Sequence, residues 1–152
     1  MIEYIKCSCV LIFNDKEELA LQLRAAHDDS FPSHWDFGAG GGIDEGEEEK
    51  HAAEREIREE LGVDASVEFV IRETVPYPLW NSVVMGEADA WIYKSHHNGP
   101  FNPDPNEVER VGYFSLKTTQ QMIDAEKKIH PVFVEVWKRG IIAKIFAKQG
   151  LL

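Results

Sequence analysis

A chain of 152 residues with 43% hydrophobic content can bury one sizeable core. Its formal net charge of −11 argues against a broad nucleic-acid-binding surface, because phosphate contacts need clustered lysine and arginine. A small phosphate ligand is still allowed, since a bound cation can invert the field at one site. The apolar runs, such as residues 9–13 and 132–134, are far too short to span a bilayer, so no membrane role is expected.

No linker, repeat or low-complexity tract divides the chain, and residues 1–152 read as a single domain. The opening stretch MIEYIKCSCVLIF has an acid before its first lysine and no small-residue cleavage pattern. A secretory signal is not expected there, and a cytoplasmic location is. Residues 3–13 and 18–24 read as two strands around the turn NDKEE, the second supported by alternating Leu19, Leu21 and Leu23. Cys7 and Cys9 read as two strand thiols. A metal site needs more ligands at suitable spacing, and an i,i+2 disulfide on a strand is geometrically poor. A loop with Pro32, the short segment HWDF and the glycine run 38–42 follow. Residues 48–61 carry a helical pattern that stops at Gly62. Residues 66–76 and 83–94 are strand-like, with YPLWN as a loop between them. Residues 96–106 form a long loop, 108–116 a returning strand, and helices are predicted at about 117–128 and 132–148, the last weakened by Gly140. Strands interspersed with helices imply a layered α/β protein.

The segment REIREELGV places Glu56, Glu59 and Glu60 within roughly 100° of one another on the helix. The apolar stripe of Ala53, Ile57 and Leu61 lies directly beside them, whereas a merely solvated acidic face would sit opposite it. Each like-charge pair costs about 0.2–0.5 kcal/mol even when exposed. Arg55 offsets part of this through Glu59 at i,i+4. Spacing alone leaves two readings open: a salt-bridged helix, or hard oxygen ligands grouped for Mg²⁺ or Mn²⁺.

Residues 41–63, GGIDEGEEEKHAAEREIREELGV, resemble the signature of the Nudix hydrolases at every specified position. Those positions are Gly41, Glu47, Arg55, Glu56, Ile57, Glu59, Glu60, Gly62 and Val63. At about 7% per position, seven fixed identities coincide in roughly one window in 10⁸ before the acidic bias of the chain loosens that figure. The resemblance implies an α/β/α sandwich with a mixed sheet and a loop–helix–loop metal site. It also implies a Mg²⁺-dependent pyrophosphatase (with Mn²⁺ as a substitute) that cleaves the diphosphate linkage of a nucleoside diphosphate derivative. Carried over by position, Glu56, Glu59 and Glu60 are metal ligands, and Glu56 is also a candidate general base. Glu47 and Arg55 brace the loop and orient the glutamates, with Glu47 a further candidate ligand. Backbone at Gly40 and Gly41 approaches metal or phosphate, as a missing side chain allows.

Outside the motif, a further acid is expected to join the metal site. Glu87 and Asp89 alternate onto one face of a predicted strand, and Glu107 is a third candidate; each is alternatively a solvent-facing acid. Arg24 is a candidate for a substrate phosphate or a surface salt bridge. Trp35 and Trp80 are candidates to stack on a base, against a packed-core role for Trp35. His27, His34, His96 and His97 lack metal-ligand spacing and read as loop histidines. Phe133, Val136, Trp137, Ile141 and Ile145 read as core or as an oligomer contact, and a homodimer is among the expectations because many family members form one.

Within the family, FPSHWDFGAGG and NPDPNEVERVGYF look like the subgroup that resembles isopentenyl-diphosphate isomerase. The cysteine that such an isomerase would use falls at Gly40, so the isomerase is the rival reading and hydrolysis the favoured one. A non-catalytic nucleotide-binding module is a third reading, although such a protein need not keep every glutamate. Pro78, fifteen residues past the motif, resembles a feature of ADP-ribose-cleaving members. Nucleoside triphosphates, nucleotide sugars and ADP-ribose all stay open.

Overall fold

The computed structural model describes residues 4–148. Glu3, where the first strand was expected to begin, and the ends of the expected 1–152 domain lie outside the described residues. Strand β1 (Tyr4–Phe13) runs through the middle of the sheet, and the chain reverses at the turn into β2 (Leu19–Arg24). Two short strands, β3 (Trp35–Asp36) and β4 (Ala39–Gly42), precede helix α1 (Glu49–Leu61). A long hairpin, β5 (Glu68–Pro78) and β6 (Met85–His96), is followed by β7 (Val108–Phe114). Helices α2 (Leu116–Asp124), α3 (Pro131–Lys138) and α4 (Ile141–Lys148) complete the described chain.

The sheet is mixed. Its order is β3-β2-β1-β6-β5, with β1 parallel to β6 and the other pairs antiparallel. Both edges of β1 are filled: β6 lies along one side, and the other is shared by β2 near Phe13 and β4 at Cys7–Val10. A strand buried on both faces should be apolar at consecutive positions, and Cys9 to Phe13 are all buried. Alternation then divides the core into two. Val10 and Ile12 pack with Ala53, Ile57 and Leu61 of α1, while Leu11 and Phe13 pack with Phe133, Val136, Ile142 and Phe146 of α3 and α4. The result is the α/β/α sandwich that the signature implied.

Three expectations need correction. The glycine run 39–42 is a strand, because register with β1 supplies the order that glycine's low strand propensity withholds. The helix expected over 132–148 is two helices, broken at Gly140. The helix expected over 117–128 ends at Asp124, where the chain turns through Glu126 at positive φ.

Gly62 ends α1 in the left-handed region, with φ 66°, and its N–H donates to the Arg58 carbonyl. A Cβ there would collide with the Asn102 carbonyl oxygen. That contact matters because the 98–106 loop caps α1: Asn102 N–H donates to Leu61 O at 2.8 Å and Asp104 N–H to Glu60 O at 3.0 Å. Gly62→Ala is therefore expected to destabilise the chain by about 2–3 kcal/mol in chemical denaturation. An unchanged midpoint would show that the capping loop gives way freely.

Candidate active site

Helix α1 lies against β4, and this contact builds the site. Gly41 is opposite Ser8 on β1, and a Cβ on Gly41 would sit 2.6 Å from Oε1 of Glu56. Only the missing side chain lets the strand pass this close to the carboxylate. The neighbouring Gly40 N–H donates to Oε1 of Glu60 at 2.9 Å. Gln22 on β2 reaches the same oxygen at 3.1 Å and holds the Gly38 carbonyl at 3.2 Å. Sequence reasoning missed Gln22. Its signal was a polar residue between Leu21 and Leu23, on a strand that proves buried on both faces.

Glu56 and Glu60 are one helical turn apart and only 8% and 9% exposed, whereas Glu59 has a side chain 51% exposed. Burial pushes Glu56 up to about 7, with Glu59 and Glu107 adding to the rise and Arg55 opposing it. Burial also raises Glu60, with Glu56 adding to it. Two buried carboxylates this close in the chain cannot both ionise freely without a compensating cation.

Arg55 supplies part of that charge. Its guanidinium donates to both Glu47 oxygens at 2.7 and 3.0 Å, to Glu56 at 3.0 Å, to Glu59 at 3.0 Å and to the Gly42 carbonyl at 3.3 Å. Arg55, followed by the Asp44 N–H, holds Glu47 down at about 2. With Arg55 spread over three glutamates and Glu60 turned toward Gly40 and Gln22, no three His, Cys, Asp or Glu side chains among the described residues converge on one metal-sized point.

The outlying candidates separate clearly. Glu107 belongs to the cluster: the capping loop carries it to where its charge acts on Glu56, and its own carboxyl is raised by burial and then by Asp104 and Glu59. Asp89 does not. It is 2% exposed and bound by Arg72 at 2.7 and 2.8 Å, which holds it below the usual carboxylate range. The partner it required is this guanidinium. Glu87 is set apart as well, in register with Tyr4 of β1 and Pro76 of β5. Four residues separate Tyr4 from Ser8, so Glu87 lies roughly 13 Å along the strand from Gly41.

A cavity of about 220 Å³ borders the glycine strand, with Gly40–Gly42, Cys7, Cys9, Arg24, Asp36, Tyr77 and His130 in its wall. Arg24 faces it with its donors already engaged: Ser30 and Phe31 carbonyls, Asp36 at 3.0 Å and Asp28 at 3.2 Å. It clasps the 28–36 loop that forms one wall. Trp35 does not line the cavity; it packs edge-on against Phe114, with Arg110 over its ring. Trp80 stands with Phe31 and His34 in an aromatic group that also includes Tyr77 and His130. Pro78 ends β5 opposite Met85.

Residues 4–135 match the NUDIX domain family profile. The chain belongs to the Nudix family. A Listeria monocytogenes protein described as an uncharacterized Nudix hydrolase is 44% identical over 54 residues, covering 36% of this chain and 32% of that protein. The chain thus spans about a third of the length of the curated relatives it matches first. An isopentenyl-diphosphate Delta-isomerase of Haloarcula marismortui is 30% identical over 103 residues, 65% of this Nudix chain and 55% of that one. The crystal structure of a MutT protein from Methanosarcina mazei superposes with a TM-score of 0.75 at 19% identity, covering 91% of this chain and 93% of that one, and shares the fold. Among the described residues no helix is long and apolar enough to cross a membrane.

Proposed function

We propose that this chain is a Mg²⁺-dependent hydrolase that cleaves the diphosphate linkage of a nucleoside diphosphate derivative of the nucleotide, nucleotide sugar or ADP-ribose type. The observation that carries this reading is the buried Glu56–Glu60 pair, pressed against Gly40 and Gly41 at the edge of a cavity and only partly compensated by Arg55. The residues fit a hard divalent cation. The donors are carboxylate oxygens, the missing Gly41 side chain gives the Glu56 carboxylate its place against the strand, and two neighbouring buried acids leave negative charge that a cation would compensate. Glu56, Glu59 and Glu60 would hold the ion, with Glu107 the acid best placed to join them and Glu87 too distant.

When bound, Mg²⁺ neutralises the diphosphate and lowers the pKa of a coordinated water. The side chains do the rest. Glu56, buried at the glycine strand and held in place by Arg55, suits the role of acceptor for the water proton. Arg55 keeps Glu56 and Glu59 in place, while Glu47 keeps Arg55 in place. Gly41→Ala is expected to displace the Glu56 carboxylate and lower kcat about 100-fold with the fold intact, as circular dichroism would show.

The kinship with an isomerase favours a second reading, in which a double bond moves without loss of phosphate. Phosphorus NMR of a panel of nucleoside di- and triphosphates, nucleotide sugars, ADP-ribose and isopentenyl diphosphate, with and without Mg²⁺, separates the two. New phosphate or phosphomonoester signals that require Mg²⁺ are expected from a nucleoside substrate. Isomerised isopentenyl diphosphate with its phosphates intact, or no conversion of any compound, would overturn hydrolysis.

A further inference from the structure

Cys7 and Cys9 take no part in the chemistry above, yet they occupy the cavity wall. Side chains on a strand alternate, so these two share one face of β1 and Ser8 takes the other. Ser8 is in register with Gly41, whose missing side chain points at Glu56. The two sulfurs therefore face the layer opposite the glutamates. Both thiols are free, and their Sγ atoms are 4.0 Å apart. A disulfide needs about 2.05 Å between sulfurs, so the pair would have to close substantially. A tetrahedral cation with metal–sulfur bonds of about 2.3 Å needs sulfurs about 3.8 Å apart. The observed spacing meets that requirement with almost no movement.

We propose that Cys7 and Cys9 form a two-thiolate clamp for a thiophilic divalent cation of the Zn²⁺ and Cd²⁺ class, inside the cavity and separate from the carboxylate cluster. Each thiol releases its proton as its metal–sulfur bond forms, so two protons leave per ion and nothing is oxidised or reduced. Thiolate sulfur selects soft cations, whereas Mg²⁺ keeps to oxygen, so the two sites do not compete for one ion.

Two other candidate ligands of the cavity, His130 Nδ1 and Asp36, are engaged elsewhere. His130 accepts the Val132 N–H through Nδ1 at the start of α3, so in the neutral ring the proton sits on Nε2 and that nitrogen donates. Asp36 accepts from Arg24 and from the Phe37 N–H. The two sulfurs are thus the protein ligands, and water or a bound substrate completes the shell. The hydrogen bond with Cys7, followed by burial, raises the Cys9 thiol well above its ordinary value. In the absence of a cation Cys9 stays protonated, and a coordinated cation is what deprotonates it. An ion held here occupies the space between the glycine strand and His130, so it obstructs any ligand that enters the cavity.

The test is a titration of the reduced full chain with Cd²⁺ in excess Mg²⁺, following ultraviolet thiolate-to-cadmium charge-transfer absorption. These are the two cysteines of the chain, so the band reports this pair alone. One ion per chain is expected, with the band lost or the affinity reduced at least about 100-fold in Cys7→Ser and in Cys9→Ala. Absence of the band in the native chain, or its full retention in either variant, would overturn the clamp. Should a variant fail to fold, alkylation of the native chain decides. Cd²⁺ is expected to protect Cys7 from iodoacetamide, and equal labelling with and without Cd²⁺ would refute the clamp. Both readouts are independent of turnover, so failure of the hydrolase reading leaves this test intact.

Discussion

Replacing Glu56 with glutamine is expected to lower kcat by about 10³-fold while leaving the folded chain more stable at pH 8. The loss follows from the proposed role as proton acceptor: an amide cannot take the proton of an attacking water, and general-base contributions run from about 10² to 10⁴. The gain follows from linkage. Folding raises Glu56 from its ordinary 4.5 to about 7, so between those values the folded chain binds more protons than the unfolded one. Stability from this group is therefore greatest below about 4.5, falls as pH rises through that window and reaches its floor above about 7. Glutamine removes the buried charge and should recover about 1–2 kcal/mol at pH 8, the Arg55 contact limiting the gain. Denaturation midpoints of both proteins at pH 5 and pH 8 check this. Mg²⁺ should flatten the slope for the native chain more than for the variant. A variant that is less stable at pH 8 would show that the carboxylate is well compensated without a metal.

Arg55→Ala is expected to have a different signature: about 100-fold lower kcat together with a stability loss of about 2–4 kcal/mol. The guanidinium is the shared partner of Glu47, Glu56 and Glu59, so its removal leaves three acids without their cation in a partly buried cluster. Lysine cannot replace it, since an ammonium offers no planar fork to span two carboxylates. Millimolar Mg²⁺ should restore more stability to Arg55→Ala than it adds to the native chain. Equal gains in denaturant titrations would mean that Arg55 and the metal do not address the same charge.

The elements with strong local signals were readable before the structure: the leucine alternation of β2, the stop of α1 at Gly62, and the spacing that puts Glu56, Glu59 and Glu60 together. What stayed hidden depended on distant partners. Nothing near Asp89 announces Arg72, which joins it across the β5–β6 pair seventeen residues away in sequence. Glu87 shares a face with Asp89, yet register with Tyr4 places it four residues along β1 from Ser8, away from the glycine strand. The loop expected over 96–106 looked like a bare connector, and its role as the cap of α1 rests on carbonyls of residues 60 and 61 that no local pattern reveals. Gln22 was concealed because alternation alone marks the leucine face of β2 as buried, whereas a middle strand is buried on both. Arg24 has the charge expected of a phosphate contact, but it serves as the clasp of the 28–36 loop.

Hydrolysis of the best nucleoside substrate from the panel in heavy-oxygen water, with Mg²⁺ and mass analysis of the products, bears most directly on the proposed metal-assisted attack of water on phosphorus at this glutamate cluster. One heavy oxygen on a phosphate or phosphomonoester product is expected, at a rate that collapses in Glu59→Ala and Glu60→Ala. Label in the non-phosphate fragment, or undiminished turnover in both variants, would contradict it.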